Sequence, residues 1–294
     1  MKILLTGRTG QVGYQLERSL QGMGEVVAVN SAQMNLAEPA QIREVIRSVR
    51  PNLIVNPAAY TAVDLAERET DLAMRINGEA PGVMAEEARR LGAALIHYST
   101  DYVFDGSKEQ AYTESDLPNP LNVYGRSKLA GEQAIQAAGI PHLILRTSWV
   151  YGMLGKNFLL TVMRLAAERD ELRIVDDQYG APTWSRTIAD TTAHIVARLQ
   201  AGTGAAQGLA GEAWEKHAGI YHLTAQGSTT WCGFTKAILA HASITKKPIV
   251  TPIKTEDYPV PARRPKNSRL SCQRLMDTFC RLPEWDKALE LCQG

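Results

Sequence analysis

The chain of 294 residues is poor in several features at once, with four phenylalanines, four cysteines, six histidines and a formal charge of only +1. Near-neutrality gives no electrostatic reason to expect nucleic acid or an anionic membrane as partner, because both are bound by surplus cationic charge. A small molecule is the expected partner. No apolar run approaches the roughly 18 residues of a membrane span, and Ile3 to Leu5 is far too short for a signal-peptide core. A cytoplasmic location is the corresponding expectation. Cys232, Cys272, Cys280 and Cys292 fall in the final quarter without paired metal spacing, so reduced packing thiols are expected rather than disulfides or zinc ligands. The histidines form no metal motif either.

What is present is a repeated alternation. Short apolar runs near Lys2 to Thr6, Val26 to Val29, Leu53 to Asn56 and Ala94 to Ser99 are separated by helical patterns, which predicts a parallel sheet in an α/β fold. Ile42, Val45, Ile46 and Val49 share one helical stripe, explained by core packing, and Leu143 to Leu145 adds a further buried strand. The fold class is thus a Rossmann-like doubly wound parallel sheet with a smaller C-terminal substrate-binding region. After Trp149 the alternation weakens, and Pro248, Pro252, Pro259, Pro261 and Pro265 mark turns that would shape a pocket. The expected division is 1–148, mainly nucleotide-binding, and 149–294, mainly substrate-binding with some segments returning to the core. Gly202 to Gly211 reads as a surface loop, and no internal repeat is visible.

Three motifs carry chemistry. Gly7-Arg-Thr-Gly10-Gln-Val-Gly13 lies between a strand and a helix, where glycines allow a tight turn and close approach of the backbone to a pyrophosphate on the positive helix N-terminus. A plain glycine turn is the alternative. Ser99-Thr100-Asp101 ends an apolar run, and ligands of open α/β sheets bind beyond the carboxyl ends of strands. Thr100 would meet a substrate there, or simply cap the strand end. Tyr124 and Lys128, four residues apart, share a helical face, so a phenol would lie beside an ammonium that lowers its pKa toward the working pH. Chance spacing on a solvated helix competes with that reading.

Together these residues resemble the extended short-chain dehydrogenase/reductase family, whose catalytic set is a serine or threonine, a tyrosine and a lysine. Four blocks narrow the resemblance: Asn56-Pro-Ala-Ala-Tyr-Thr-Ala-Val-Asp-Leu-Ala-Glu67, Ser99-Thr-Asp-Tyr-Val-Phe-Asp-Gly106, Arg146-Thr-Ser-Trp-Val-Tyr151 and Asp177-Gln-Tyr-Gly-Ala-Pro-Thr183. They are similar to the branch that reduces the C4 ketone of dTDP-4-dehydro-6-deoxy-L-mannose with NADPH or NADH, from about Met1 to Trp285. The resemblance implies that Tyr124 is the proton donor, that Lys128 holds the nicotinamide ribose and that Thr100 binds the substrate oxygen.

It further implies a dTDP-sugar partner. Gly10, Gln11 and Val12 would contact the pyrophosphate, Ala59, Tyr60 and Thr61 would line the cofactor, and Tyr98 and Asp101 would flank cofactor or substrate. Trp149 would contact substrate or pack in the core. Arg263 and Arg264 would pair with the nucleotide diphosphate, or form a solvated basic turn. The second strand ends in Val29-Asn30 where NAD-preferring folds place an acid, and Arg8 in the glycine loop is a candidate partner for a ribose phosphate, so NADPH is favoured. The related dehydratases follow their threonine with aspartate and glutamate, whereas here Asp101 is followed by Tyr102. That disfavours water elimination. A 4-epimerase and a non-catalytic nucleotide-binding regulatory subunit, similar to that of methionine adenosyltransferase, remain as alternatives. The positions where some relatives hold a dimer-bridging magnesium correspond to Gln15, Arg186 and Asp286, an unsuitable set for a hard cation. No metal and no magnesium-dependent dimer are expected.

Overall fold

The computed structural model describes residues 1–201, 211–242 and 247–294. The chain opens with β1 (Lys2–Leu5), α1 (Gln11–Ser19), β2 (Glu25–Ala28), α2 (Pro39–Val49) and β3 (Leu53–Asn56). Then come α3 (Val63–Ala66), α4 (Thr70–Met74), α5 (Ala80–Leu91), β4 (Ala94–Thr100), α6 (Val123–Ala137) and β5 (His142–Thr147). The expected strands are therefore present, each within a residue or two. A sixth strand, Gly219–His222, returns from the C-terminal half and pairs with β5. Every neighbour pair in this sheet is parallel, in the order Gly219–His222, β5, β4, β3, β1, β2. From β1 the chain moves outward to β2 and comes back on the other side to β3. The carboxyl ends of β1 and β3 thus flank the switch point, where open α/β sheets bind ligands.

Period-two alternation decides what each face of the sheet meets. Ile3, Leu5, Leu53, Val55, Ala94, Ile96 and Tyr98 enter one core cluster, with helices Ser185–Ala201 and α1. Leu4, Ile54, Leu95 and Ile144 enter the other, against α2 and α5. Both faces are covered, which is why these strands read as continuous apolar runs.

The C-terminal half has its own core. Helices Phe158–Glu168, Trp231–His241 and Trp285–Gln293 enclose Leu159, Val162, Phe234, Ile238 and Leu289, alongside the paired strands Glu171–Val175 and Ile249–Ile253. Helix Ser185–Ala201 and strand Gly219–His222, both beyond position 148, pack into the first core. All four cysteines are free, and only Cys280 is more than marginally exposed. The expected loop at Gly202 to Gly211 lies outside the described residues except for its last position. No helix among the described residues is long and apolar enough to cross a membrane.

Candidate active site

The glycine loop connects β1 to α1, and its geometry leaves no room for side chains at two positions. Gly7 has φ +59° with Ala58 packed against it, and a Cβ on Gly13 would sit 2.0 Å from the Gly7 carbonyl oxygen. Only glycine satisfies both demands. Gly10 caps α1 without a side-chain hydrogen bond, and no acidic residue occupies the first turn. The N-terminus of α1 therefore offers unpaired amides and positive dipole to an anion, the arrangement a dinucleotide pyrophosphate needs. Val12 packs inward against the first core, so its contribution to the cradle is its backbone. Gln11 is tied through its side chain to Asn157 (2.9 Å), joining the loop to the C-terminal half.

Arg8 donates its backbone N–H to Val29 O and its guanidinium to Glu17 (2.7 Å). It thus stands beside Asn30 at the end of β2, half exposed, where the adenosine ribose of a bound dinucleotide would lie. Opposite, the segment Ala58 to Thr61 leaves β3 and is clamped by Asn77, whose side chain accepts from Tyr60 N (2.8 Å) and donates to Tyr60 O (3.0 Å). Asn77 comes from a π-helical turn, Arg75–Glu79, between α4 and α5. That extra residue turns the amide toward the site, a common use of such turns. Its Nδ2 also donates to Ser127 Oγ of α6 (3.0 Å), so one side chain fixes both the cofactor-side loop and the helix bearing Tyr124.

Asn122 caps α6 by accepting from Gly125 N, and Gly125 lets the helix start pass directly under Tyr102, whose carbonyl oxygen would be 2.1 Å from an added Cβ. Tyr124 and Lys128 then both stand on α6, four residues apart. Lys128 is fully buried, and its Nζ donates to Tyr98 O (2.6 Å) and lies 3.1 Å from His97 Nε2. Burial brings Lys128 down to about 8, opposed by Glu132, while burial pushes Tyr124 up to about 12, opposed by a hydrogen bond with Thr100. The expected lowering of the Tyr124 pKa is corrected accordingly: desolvation outweighs the hydrogen bond with Thr100 that opposes it. Tyr124 is held protonated across neutral pH.

Thr100 ends β4, and its Oγ1 donates to Asp101 Oδ1 (2.9 Å) and accepts from Tyr102 N (3.1 Å). Burial pushes the Asp101 carboxyl up to about 7, with hydroxyls of Ser268 and Thr100 opposing the shift. Tyr98 does not project into the site. Its ring belongs to the first core and its hydroxyl meets Thr192 (2.7 Å), because alternation along β4 sends it to the face opposite His97; only its carbonyl faces Lys128.

Arg264 and Asp64 line a cavity of about 430 Å³, with Phe158, Arg173, Trp231 and Tyr258 among its other walls. Its size suits a nucleotide. The expected free pairing of Arg264 with a diphosphate is modified, since the guanidinium already forms a bidentate pair with Asp64 (2.8 and 3.0 Å) and a hydrogen bond with Tyr102. Arg263 is exposed and its carbonyl accepts from Asn122 (2.8 Å). Trp149 has φ +46°, lies over Gly180 and stacks on Trp231 at 3.5 Å. Its indole is thereby sandwiched, and Trp231 presents the aromatic surface to the cavity. Asn77, His97, Asp64, Tyr102 and Trp231 were missed in the sequence. Asp64 and Tyr102 stand inside recognised blocks, but nothing local marks a buried amide on a π-helical turn.

A doubly wound sheet with a glycine cradle at its switch point, and a threonine, tyrosine and lysine beside it, defines the extended short-chain dehydrogenase/reductase class. The family model described as the RmlD substrate binding domain matches residues 1–293, and the chain belongs to that family. It is 47% identical to the dTDP-4-dehydrorhamnose reductase of Burkholderia thailandensis, over 99% of this chain and 98% of the relative. Against the same enzyme of Escherichia coli K12 the identity is 43%, over 97% and 94%. The crystal structure of dTDP-4-dehydrorhamnose reductase from Bacillus anthracis in complex with NADP superposes with a TM-score of 0.89 at 33% identity, covering 99% of this chain and 98% of that one.

Proposed function

We propose that this protein reduces the C4 ketone of dTDP-4-dehydro-6-deoxy-L-mannose to dTDP-L-rhamnose, with NADPH as cofactor. The observation that supports this reading is that Thr100, hydrogen-bonded with Tyr124, and Lys128, bonded to Tyr98 O, stand at the carboxyl end of β4, one strand beyond the β3 that flanks the glycine loop. Reduced nicotinamide, when bound, supplies the hydride. Gly7, Gly10, Gln11, Val12 and Gly13 would hold its pyrophosphate by backbone approach, Arg8 and Asn30 would face the adenosine ribose, and Ala59, Tyr60 and Thr61 would form the opposite wall. Lys128 would hold the nicotinamide ribose.

Tyr124 transfers the proton to the oxygen of the forming alcohol, and the raised pKa of its phenol keeps that proton available at neutral pH. The Thr100 hydroxyl binds the same oxygen and Asp101 orients Thr100. Trp149 with Trp231 forms an aromatic wall, and Arg263 and Arg264 supply cationic charge to the diphosphate. With a formal charge of +1 and a nucleotide-sized cavity, the partners are small molecules rather than nucleic acid, and the cytoplasm, where such cofactors are regenerated, is the assigned compartment. The test incubates purified protein with NADPH and the dTDP ketosugar and identifies the product by NMR. dTDP-rhamnose is expected. A folded, cofactor-binding protein that fails to form it would overturn the substrate assignment.

A further inference from the structure

Alternation along the strands places Thr6, Asn56 and His97 on one face at neighbouring strand ends, with Asn56 and His97 paired directly in the β3–β4 register. All three are essentially inaccessible, and they form a chain: Thr6 Oγ1 donates to Asn56 Oδ1 (2.6 Å), Asn56 Nδ2 meets His97 Nδ1 (3.0 Å), and His97 Nε2 meets Lys128 Nζ (3.1 Å). None of these three residues has a part in the reduction described above. Each is nonetheless a polar group withdrawn from water, so every link must carry a definite donor and acceptor.

The direction of the chain is fixed by one proton. Burial drives His97 far below its usual pKa, and the nearby Lys128 charge adds to that, so its ring is neutral and carries a single N–H. A charged lysine has only donors to offer, so it requires an unprotonated Nε2. The N–H must then sit on Nδ1 and be received by the side-chain oxygen of Asn56. A neutral lysine accepts instead, with Nε2–H donating to it and Nδ1 accepting from Asn56 Nδ2. In the structure Nδ2 faces His97 and Oδ1 faces Thr6, and a half-turn of the Asn56 amide gives the other arrangement.

We propose that His97 is a positioning residue whose tautomer is coupled to the charge of Lys128, with the Asn56 amide turning over between the two states. In the exchange Nε2 takes the lysine proton, Nδ1 releases its own, and one proton leaves in total. Lys128 keeps its bond to Tyr98 O and one N–H for the crevice in both states. The lysine of the reduction site can therefore change charge without leaving a buried group unpaired. The other charged group acting on it is Glu132 of α6, which is paired with Arg146 of β5 at 2.6 Å.

The inference rests on Lys128 serving the proposed reduction, but its test needs neither substrate nor cofactor. Protein labelled with 15N-histidine is titrated from about pH 6 to about pH 10, a range spanning the lowered lysine pKa, and the protonated nitrogen of His97 is read by NMR. The N–H is expected on Nδ1 at the acid end and on Nε2 at the alkaline end, the two 15N resonances exchanging positions about the lysine titration near 8. In Lys128→Met the tautomer should cease to depend on pH. A single His97 tautomer throughout the native titration would overturn the proposal even if the enzyme proves active, and so would a switch that persists in Lys128→Met. Should that variant fail to fold, the native titration alone decides.

Discussion

Two alanine substitutions in the glycine loop separate packing from ligand approach. At Gly13 an added Cβ would lie 2.0 Å from Gly7 O and 2.7 Å from Gly7 C, both backbone atoms held by the β1 to α1 turn. No rotamer relieves that contact, so the turn must open. Overpacking of this kind costs about 1–3 kcal/mol, which for a chain of this size lowers Tm by roughly 2–5 °C. At Gly10 the backbone is extended (φ −82°, ψ 164°) and the nearest atom to an added Cβ is Gly7 O at 3.3 Å, so alanine fits with a slight adjustment. The Gly10→Ala protein should therefore melt close to the parent. Its methyl group would nevertheless stand between α1 and the pyrophosphate, and loss of only about 1.4 kcal/mol there weakens NADPH tenfold. Differential scanning fluorimetry and a fluorescence titration with NADPH measure the two effects. The reasoning is refuted if Gly10→Ala binds NADPH as the parent does, or if Gly13→Ala leaves both stability and affinity unchanged.

Four further outcomes are expected. Tyr124→Phe should cut turnover by about 100- to 10,000-fold while cofactor affinity stays within a few fold, because it removes the transferred proton and keeps the ring; near-native kcat in the folded variant would remove Tyr124 from its role. NADPH should be used at least as well as NADH, and Arg8→Ala should erode that preference, so steady-state kinetics showing a strong NADH preference in the parent would reject the ribose-phosphate assignment. Arg264→Ala should raise KM for the sugar nucleotide by about 10- to 100-fold, the worth of a charge-assisted hydrogen bond, with little change in Tm because Asp64 is 41% exposed and is rehydrated; an unchanged KM would show that the arginine only braces the cavity wall. Light scattering with EDTA and then magnesium should give a constant molar mass, since Arg186 occupies a position where a cation would need an oxygen ligand and pairs with Asp190 instead (3.4 Å).

The sheet and the glycine loop were legible in the sequence because their causes are local. Strands buried on both faces must be continuous apolar runs, and Gly7 and Gly13 are dictated by one turn and one close contact. Tyr124 and Lys128 were placed correctly on one helix, but their electrostatics were not, since the desolvation that governs both comes from the packing of α6 against β4, β5 and the helices around it. Arg264 illustrates the same boundary. Its partner Asp64 lies 200 positions away, so local pattern gave its charge but not the pair that engages it. Tyr98 packs in the core, for alternation along β4 sends it to the face opposite His97.

Position 102 ties sequence and structure together on the choice of reaction. In the dehydratases that the sequence resembles more distantly, a glutamate at this place shares the acid and base work of eliminating water. Here Tyr102 packs edge-on to Tyr124, at 6.0 Å between ring centroids, and its hydroxyl is engaged by Arg264. Burial drives its pKa upward, with the Asp101 charge adding to the shift, so it is no base at neutral pH. Asp101 is then left as the lone carboxyl beside the catalytic threonine, poised near 7 and hydrogen-bonded to Thr100. Elimination needs one group to remove a proton and another to protonate the departing hydroxyl, and here Asp101 alone stands where the dehydratases carry two carboxyls. Reduction asks for one proton at one oxygen, and Tyr124, held protonated by its surroundings and in hydrogen-bond contact with Thr100, delivers it.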